Sequence, residues 1–476
     1  MKTAKFFTIF FTFILIFSAF GTNILSRTAD AAFSPTFDLY SEGVYMVNLD
    51  TNIVVASKNP DKRLYPASTA KIMTCLVALE NVKDFNAKVD CDYKCFNEFW
   101  GDNPNYYNAS NAAIEGEQSN LTFNDCMYAL MIRSGCEAAN IIAYNVCNGD
   151  IDAFIDLMNK TATKIGCQNT HFSNTHGLFD ENTYTTAYDM YLITRYAIDK
   201  YPGFMRYCSA DEYDMPANTY NPDGYTIYST NRMMATESMY YTAGVKGIKT
   251  GSINEYNLKK GNGWDSEAKD GFCSLVTMCE KDGYKYLLVT LQAPYYDTEG
   301  ESQVTHFEDH KKLYEWAYSE FERKQIIGEN EQVMMIDVIM GRDTDKVGVV
   351  TTESFSTLIP KSLDSTAIQQ IVPTVDPYLA PIKKGEPVGE LVLKLNGETL
   401  TTIPLVIEEE VVIDTIAKYK DRVKTVMTSP GVVASIVIFF VTLIAFLVSR
   451  FFTKKMLAKN ADMQRRRKIQ MAPKKK

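Results

Sequence analysis

From Gly431 to Ser449 the chain runs 19 residues without a charge, about 28 Å as a helix and enough to cross the hydrocarbon core of a bilayer. The 27 residues that follow carry 11 Lys or Arg against a single Asp462. A span of this kind ties the chain before it to one side of a membrane, and the basic flank is the side that stays in the cytoplasm. Residues 431–449 are therefore expected to be a single transmembrane helix, residues 450–476 a basic cytoplasmic tail, and the rest extracytoplasmic. The other end agrees. Lys2 and Lys5 precede an apolar run from Phe6 to Phe20, and Ala29-Asp30-Ala31 has the small-x-small form of a cleavage site, so residues 1–31 read as a secretory signal.

Removing the signal and the tail leaves 35 basic against 56 acidic residues, a net charge of −21 for the exported part. Such a body is not built to bind nucleic acid, and an anionic substrate must be met at a local cationic site. The basic tail reads as a contact for anionic lipid rather than for nucleic acid. All ten cysteines fall between Cys75 and Cys279. Several, such as Cys75, Cys126 and Cys147, sit in apolar helix-like stretches and are expected to be free, buried thiols, because a domain this large has core enough without cross-links. Cys91 and Cys95, four apart in a polar insert rich in Asn and Tyr, are the expected exception. His306 and His310 have the spacing of a helical metal pair, but no third ligand is evident and the run continues as the amphipathic Leu313, Tyr314, Trp316, Ala317 and Phe321. An ordinary helix is expected there, with no metal and no cofactor.

The chemistry lies in three short motifs. Ser68 and Lys71 sit three apart where Tyr65-Pro66-Ala67 gives way to a long apolar run reading as a helix to Val82, so one turn puts the amine beside the hydroxyl. A serine hydroxyl needs a base to take its proton, and a lysine in a dry, cation-rich site can be that base. Ser134-Gly135-Cys136 follows 66 residues later, in a turn between a helix opening near Thr122 and another running from Glu137 to Val146. Lys249-Thr250-Gly251 comes another 115 residues on, closing the strand-like Ala243–Ile248. Gly251 is expected to leave room for substrate against the backbone. This order is the one used by serine acyl-transfer enzymes that react with penicillin.

At these residues the sequence resembles the low-molecular-mass penicillin-binding proteins, specifically the D-alanyl-D-alanine carboxypeptidases of the serine peptidase S11 type. The resemblance runs from about Gly43 to about Ile407. It includes Arg63-Leu64-Tyr65-Pro66-Ala67-Ser68 at the entry to the catalytic helix, His171–Leu178 followed by Tyr184–Met190, and Ala380–Gly389 in a second domain. It implies that Ser68 attacks the carbonyl between two terminal D-alanines of a peptidoglycan stem peptide, that Lys71 accepts its proton, and that water releases the shortened peptide from the acyl-enzyme. Penicillin and other β-lactams would acylate the same serine. Backbone N–H groups of Ser68 and Ser252 would hold the oxyanion, Lys249 and Thr250 the terminal carboxylate, and Ser134 would relay a proton to the departing amine. Cys136 departs from the Asn that most relatives carry. A thiol cannot replace an amide's paired hydrogen bonds, which bears on the grip on the substrate backbone and on the balance of carboxypeptidase and transpeptidase action. Cys136 as nucleophile has no local base motif behind it.

Three other readings stay open at this point. A β-lactamase shares the three motifs, but no Glu-x-x-x-Asn follows the second at the expected place, and a tethered β domain is foreign to that pattern. A non-catalytic wall-binding protein would keep the fold and lose the chemistry, against the intact Ser68, Lys71, Ser134 and Lys249. A general serine esterase would be indifferent to a free terminal carboxylate.

The expected architecture is α+β. A catalytic domain at 32–325 has a mostly antiparallel sheet and a helical middle, with strands at Gly43–Leu49, Asn52–Ala56, Phe272–Cys279 and Tyr284–Gln292. A small β domain at 330–407 includes an Asn396-Gly397 hairpin signal. An amphipathic stem at 408–430 then shows Ile413, Ile416, Val423 and Val426 at helical spacing.

Overall fold

The structure, a computed structural model, describes residues 35–99, 109–254, 271–395 and 397–470. The signal expected at 1–31, Asn396 of the hairpin signal and the last six residues of the tail lie outside the described residues. The chain divides into two compact units, one reaching Lys324 and taking in Ser356–Asp364, the other comprising Gln325–Phe355 and Ser365 onward.

The first unit contains β1 (Gly43–Asn48), β2 (Val54–Lys58), a short hairpin of β3 (Glu212–Met215) and β4 (Tyr225–Tyr228), β5 (Val245–Asn254), β6 (Gly271–Lys281) and β7 (Tyr284–Pro294). Five of these form an antiparallel sheet in the order β2-β1-β7-β6-β5. Strands from both ends of the unit meet at the β1–β7 pair, where Val44 lies opposite Thr290. Both faces of the sheet are covered, which explains why its strands read as unbroken apolar runs. Tyr45 and Val47 point into one core with Leu287, Val289 and Leu291, while Val44 and Met46 enter another with Tyr286 and Leu288.

Helices α1 (Lys71–Asn81), α2 (Phe123–Met131), α3 (Cys136–Val146), α4 (Ile151–Ile165), α5 (Ala187–Lys200) and α6 (Gly203–Cys208) fill the middle, and α7 (Thr305–Glu320) packs into the second core. The first eight residues of α1 are all buried, so this helix runs through the core rather than across a surface. The His306–His310 stretch is helical as expected. His310 is a core histidine, with Nδ1 2.8 Å from the Thr277 hydroxyl and Nε2 2.9 Å from the Thr290 hydroxyl.

After α7 come β8 (Phe321–Ile327), β9 (Gln332–Ile339), β10 (Lys346–Thr351) and β11 (Phe355–Pro360). Phe321 was expected to continue the helix and instead opens β8, which pairs with β11. Its ring packs against Trp316 at 5.1 Å, so its apolar character fits both readings. The second unit adds β12 (Gln369–Ile371), β13 (Tyr378–Leu379), β14 (Pro387–Leu395) and β15 (Glu398–Ile407), giving a six-stranded sheet in the order β12-β14-β15-β10-β9-β13.

The chain stays with this sheet past Ile407, since Val411 bridges Ile382 and Ile413 bridges Gly341. Ile413 therefore belongs to the β unit, although its spacing groups it with the stem. The stem helix is α8 (Thr415–Thr428), N-capped by Asp414, whose carboxylate accepts from the N–H groups of Ile416 and Ala417. None of its residues is buried. It is followed by α9 (Pro430–Gln470), the one described helix long and apolar enough to cross a membrane, which runs without a break from the apolar segment through the basic flank.

All ten cysteines are free thiols, which corrects the expectation for Cys91 and Cys95. The one-turn helix Tyr93–Cys95, capped by Asp92, carries both into the core with Phe96, Ala112 and Ile114, where they pack as small apolar side chains.

Candidate active site

Ser68 lies in a one-turn 3-10 helix, Ala67–Ala70, that leads directly into α1 at Lys71. Ala67 ahead of it has φ of 51°, a left-handed conformation that costs a non-glycine residue about 1 kcal/mol or more. Two close neighbours hold the turn there. A Cβ on Gly177, itself at φ +74°, would fall 2.0 Å from the Ala67 carbonyl oxygen, and a Cβ on Gly251 would fall 2.9 Å from the Ser68 nitrogen. Gly251 is thus required by the protein's own approach of β5 to the serine turn, a different reason from the substrate clearance its sequence suggested.

Lys71 is fully buried. Its Nζ lies 3.0 Å from Ser68 Oγ, 3.4 Å from Cys136 Sγ and 2.6 Å from the His176 carbonyl oxygen, to each of which it can donate. Burial pushes its pKa below the ordinary lysine value, opposed by the Cys136 sulfur and by the nearby Glu137 and Glu98 carboxylates. A lowered lysine pKa beside a serine hydroxyl is the arrangement a general base needs. The Cys136 thiol is pushed up by burial, although Lys71 pulls the other way. It is thus held as a thiol, and this argues against Cys136 as nucleophile.

Ser134 and Cys136 sit where α2 ends and α3 begins. Ser134 has φ of 68° and its carbonyl accepts from the Ser110 hydroxyl at 2.6 Å, while the Cys136 N–H donates to the Ser110 carbonyl at 2.8 Å. Next along the helix, Glu137 is buried and accepts from the Ala112 N–H. Burial pushes its carboxyl up. The segment Ser110–Ala112 is therefore stitched to the second motif at three points.

The third motif lies inside β5 rather than at its end, with Lys249, Thr250, Gly251 and Ser252 paired to Val276, Leu275, Ser274 and Cys273 of β6. Lys249 is buried, its Nζ 2.9 Å from the Thr250 carbonyl, and its pKa is pushed well down by burial and then by the charge of Lys71. The Thr250 hydroxyl meets that of Thr230 at 2.5 Å. Ser252 is exposed. The structure thus joins Ser68, Lys71 and Cys136 by direct bonds and brings Gly251 against the serine turn. Lys249 is close enough to Lys71 to feel its charge. His176, Ser110, Glu137 and Thr230 were not singled out from the sequence. Gly177, in a turn where a side chain cannot fit, was the available signal for the first of them.

Comparison with known proteins gives the same picture. The profile of the Peptidase S11 D-alanyl-D-alanine carboxypeptidases matches residues 28–258, and that of the penicillin-binding protein 5 C-terminal domain matches 321–412. The D-alanyl-D-alanine carboxypeptidase DacF of Bacillus subtilis is 27% identical over 394 residues, which is 83% of this chain and 90% of that protein. In fold, the chain is similar to the D-alanyl-D-alanine carboxypeptidase DacD of Francisella tularensis, with a TM-score of 0.58 and 22% identity over 83% of this chain and 98% of that one. Penicillin-binding protein 5 of Haemophilus influenzae gives 0.56 and 21% over 79% and 99%. With catalytic and C-terminal domains both matched in order, and a buried lysine bonded to the serine of the first motif, the chain belongs to the S11 family of serine D-alanyl-D-alanine carboxypeptidases.

Proposed function

We propose that the protein removes the terminal D-alanine from peptidoglycan stem peptides through an acyl-enzyme on Ser68. The observation that carries this reading is the buried Lys71 amine, its pKa lowered by burial, 3.0 Å from Ser68 Oγ. Lys71 takes the serine proton as Oγ bonds to the carbonyl carbon. The oxyanion lies between the N–H groups of Ser68 and Ser252, which the close approach of Gly251 to the serine turn supports. Collapse expels D-alanine, with Ser134 relaying the proton to its nitrogen, and water then attacks the ester. Lys249 and Thr250 hold the terminal carboxylate, the local cationic site that a body of net charge −21 needs to receive an anion. Cys136 bonds Lys71 where an amide would grip the substrate backbone, so its part is to place the base. A β-lactam presents the same carboxylate and carbonyl and acylates the same serine. The α9 helix anchors the chain in the cell membrane, with the catalytic unit outside and the basic flank in the cytoplasm.

The test is incubation of the full-length chain, in detergent, with a peptide ending in D-Ala-D-Ala and with a labelled penicillin. D-Alanine release and an adduct mapped to Ser68 by mass spectrometry are expected. Neither appearing, with folded protein, overturns the reading. Rapid release of hydrolysed penicillin with no D-alanine from the peptide would favour a β-lactamase instead.

A second expectation concerns β5. Gly251→Ala puts a Cβ 2.9 Å from the Ser68 nitrogen and 3.0 Å from that of Thr69, so strand and turn must separate by several tenths of an ångström. The rate of acylation by penicillin should fall at least about tenfold, as misplaced reacting groups do, with no change in the mass of the adduct formed. A rate within twofold of wild type would show that the close approach is not needed.

A further inference from the structure

The shortest of the three Lys71 contacts is to the carbonyl of His176, and the His176 side chain is itself clamped. Its ring is buried. Nδ1 accepts from the Leu178 N–H at 3.2 Å, which leaves the ring proton on Nε2, 3.0 Å from Glu98 Oε1. The N–H is not aimed well enough at that oxygen for a hydrogen bond, so what holds the pair is the attraction of the carboxylate for the polar Nε2–H of a neutral ring. The same Glu98 oxygen accepts from Asn140 Nδ2 at 2.7 Å, and that amide also donates to the Cys95 carbonyl at 3.1 Å. The amide oxygen of Asn140 accepts from the Thr175 hydroxyl at 2.5 Å. Thr175 and His176 are therefore both held through one amide and one carboxylate, with the Phe99 ring edge-on to the imidazole at 5.4 Å.

A carboxylate beside the site of an anionic substrate needs a reason, because it repels what the site must receive. The groups facing Lys71 supply one. From α3 come Cys136, kept a thiol by burial, and Glu137, whose carboxyl burial pushes toward its neutral form. From β5 comes Lys249, and the loop contributes His176 itself. Glu98, one-third exposed where Glu137 is buried, is the more solvated of the two carboxylates whose charge acts on Lys71. It sits in the one-turn helix Asn97–Phe99, in the polar insert that none of the three motifs includes.

We propose that Glu98 is a positioning residue for acyl transfer: it clamps His176, and through the His176 carbonyl fixes the Lys71 amine against Ser68 while placing a negative charge near it. The inference rests on Lys71 being the base. It assigns to the insert a part in the chemistry, since the loop that receives the Lys71 bond is braced from there.

The test is the rate of acylation of the full-length, detergent-solubilised chain by a labelled penicillin, followed against pH. Glu98→Gln keeps the shape and removes the charge. Its plateau rate should fall about tenfold as the carbonyl loosens, and its acid limb should move to lower pH by about half a unit, because losing a negative neighbour makes the ammonium harder to form. Glu98→Asp keeps the charge but withdraws it by one methylene, so its plateau should fall severalfold with the limb in place. A Glu98→Gln limb that does not move, or a plateau that does not fall, overturns the proposal. Should Glu98→Gln not fold, the Glu98→Asp plateau alone decides it, an unchanged rate being the overturning result. Lys71→Met separates the two layers. Acylation surviving there sinks the base assignment itself, whereas acylation lost there beside a wild-type profile for Glu98→Gln sinks only the positioning role.

Discussion

Lys71→Met is expected to lower the rate of acylation by penicillin by about three orders of magnitude or more, the scale lost when an activated nucleophile loses its base. Methionine keeps the unbranched shape that fills this part of the core, so the expectation is of a folded protein that fails at the first chemical step. In wild type, only the neutral amine can accept the Ser68 proton. Burial holds the Lys71 pKa below the ordinary lysine value, so acylation should rise with pH through that lowered value and then level off. The same shift sets a stability profile. Between the folded and the ordinary value the unfolded chain binds the proton that the folded chain has lost, so stability rises with pH across that window and the penalty is fully present below it. In Lys71→Met this contribution is gone, and unfolding followed by circular dichroism against pH should show a shallower rise than wild type in the alkaline range. A variant that still acylates within tenfold of wild type would mean that some other group takes the proton.

How much of this was legible in the sequence follows from where the information sits. Ser68 and Lys71 are three residues apart, so helical geometry alone puts them together, and the bond at 3.0 Å is what that spacing predicts. The sheet was legible because buried strands leave apolar runs at both ends of the unit. His176 and Glu98 were not, since their approach to Lys71 depends on chain segments 105 and 27 residues away that no periodicity links. Cys91 and Cys95 misled for a related reason. Their polar neighbours suggested an exposed insert, but polarity in sequence does not say which side chains a capped turn folds inward, and both thiols lie in the core. Ile413 misled through chance agreement, because its spacing continues the apolar stripe of α8 while its backbone bridges Gly341. Gly251 shows how far a glycine can be read, because it marks that something comes close without saying what. The thing that comes close is the serine turn itself.

Lys249→Met is expected to separate substrates by their charge. Lys249 is buried with Lys71 close by, and its pKa is pushed well down, first by burial and then by the charge of Lys71. It therefore carries its proton most readily when a carboxylate lies against it, which makes the binding of an anion and the charging of Lys249 one event. A charge-assisted contact of this kind, desolvated in a closed site, is worth about 3 kcal/mol. Removing it should lower kcat/KM on a peptide with a free terminal carboxylate about a hundredfold. Methionine preserves the volume between β5 and its neighbours, so the strand should remain paired with β6 and the serine turn should stay in place against Gly251. On an ester or amide analogue that has no carboxylate, the loss should be under about threefold, since such a substrate never used the clamp. The comparison is therefore of two substrates on one variant, which cancels any general loss of folded enzyme. Equal losses on both would show that Lys249 serves the packing of the site rather than the recognition of the terminal carboxylate, and would return the general esterase reading to contention.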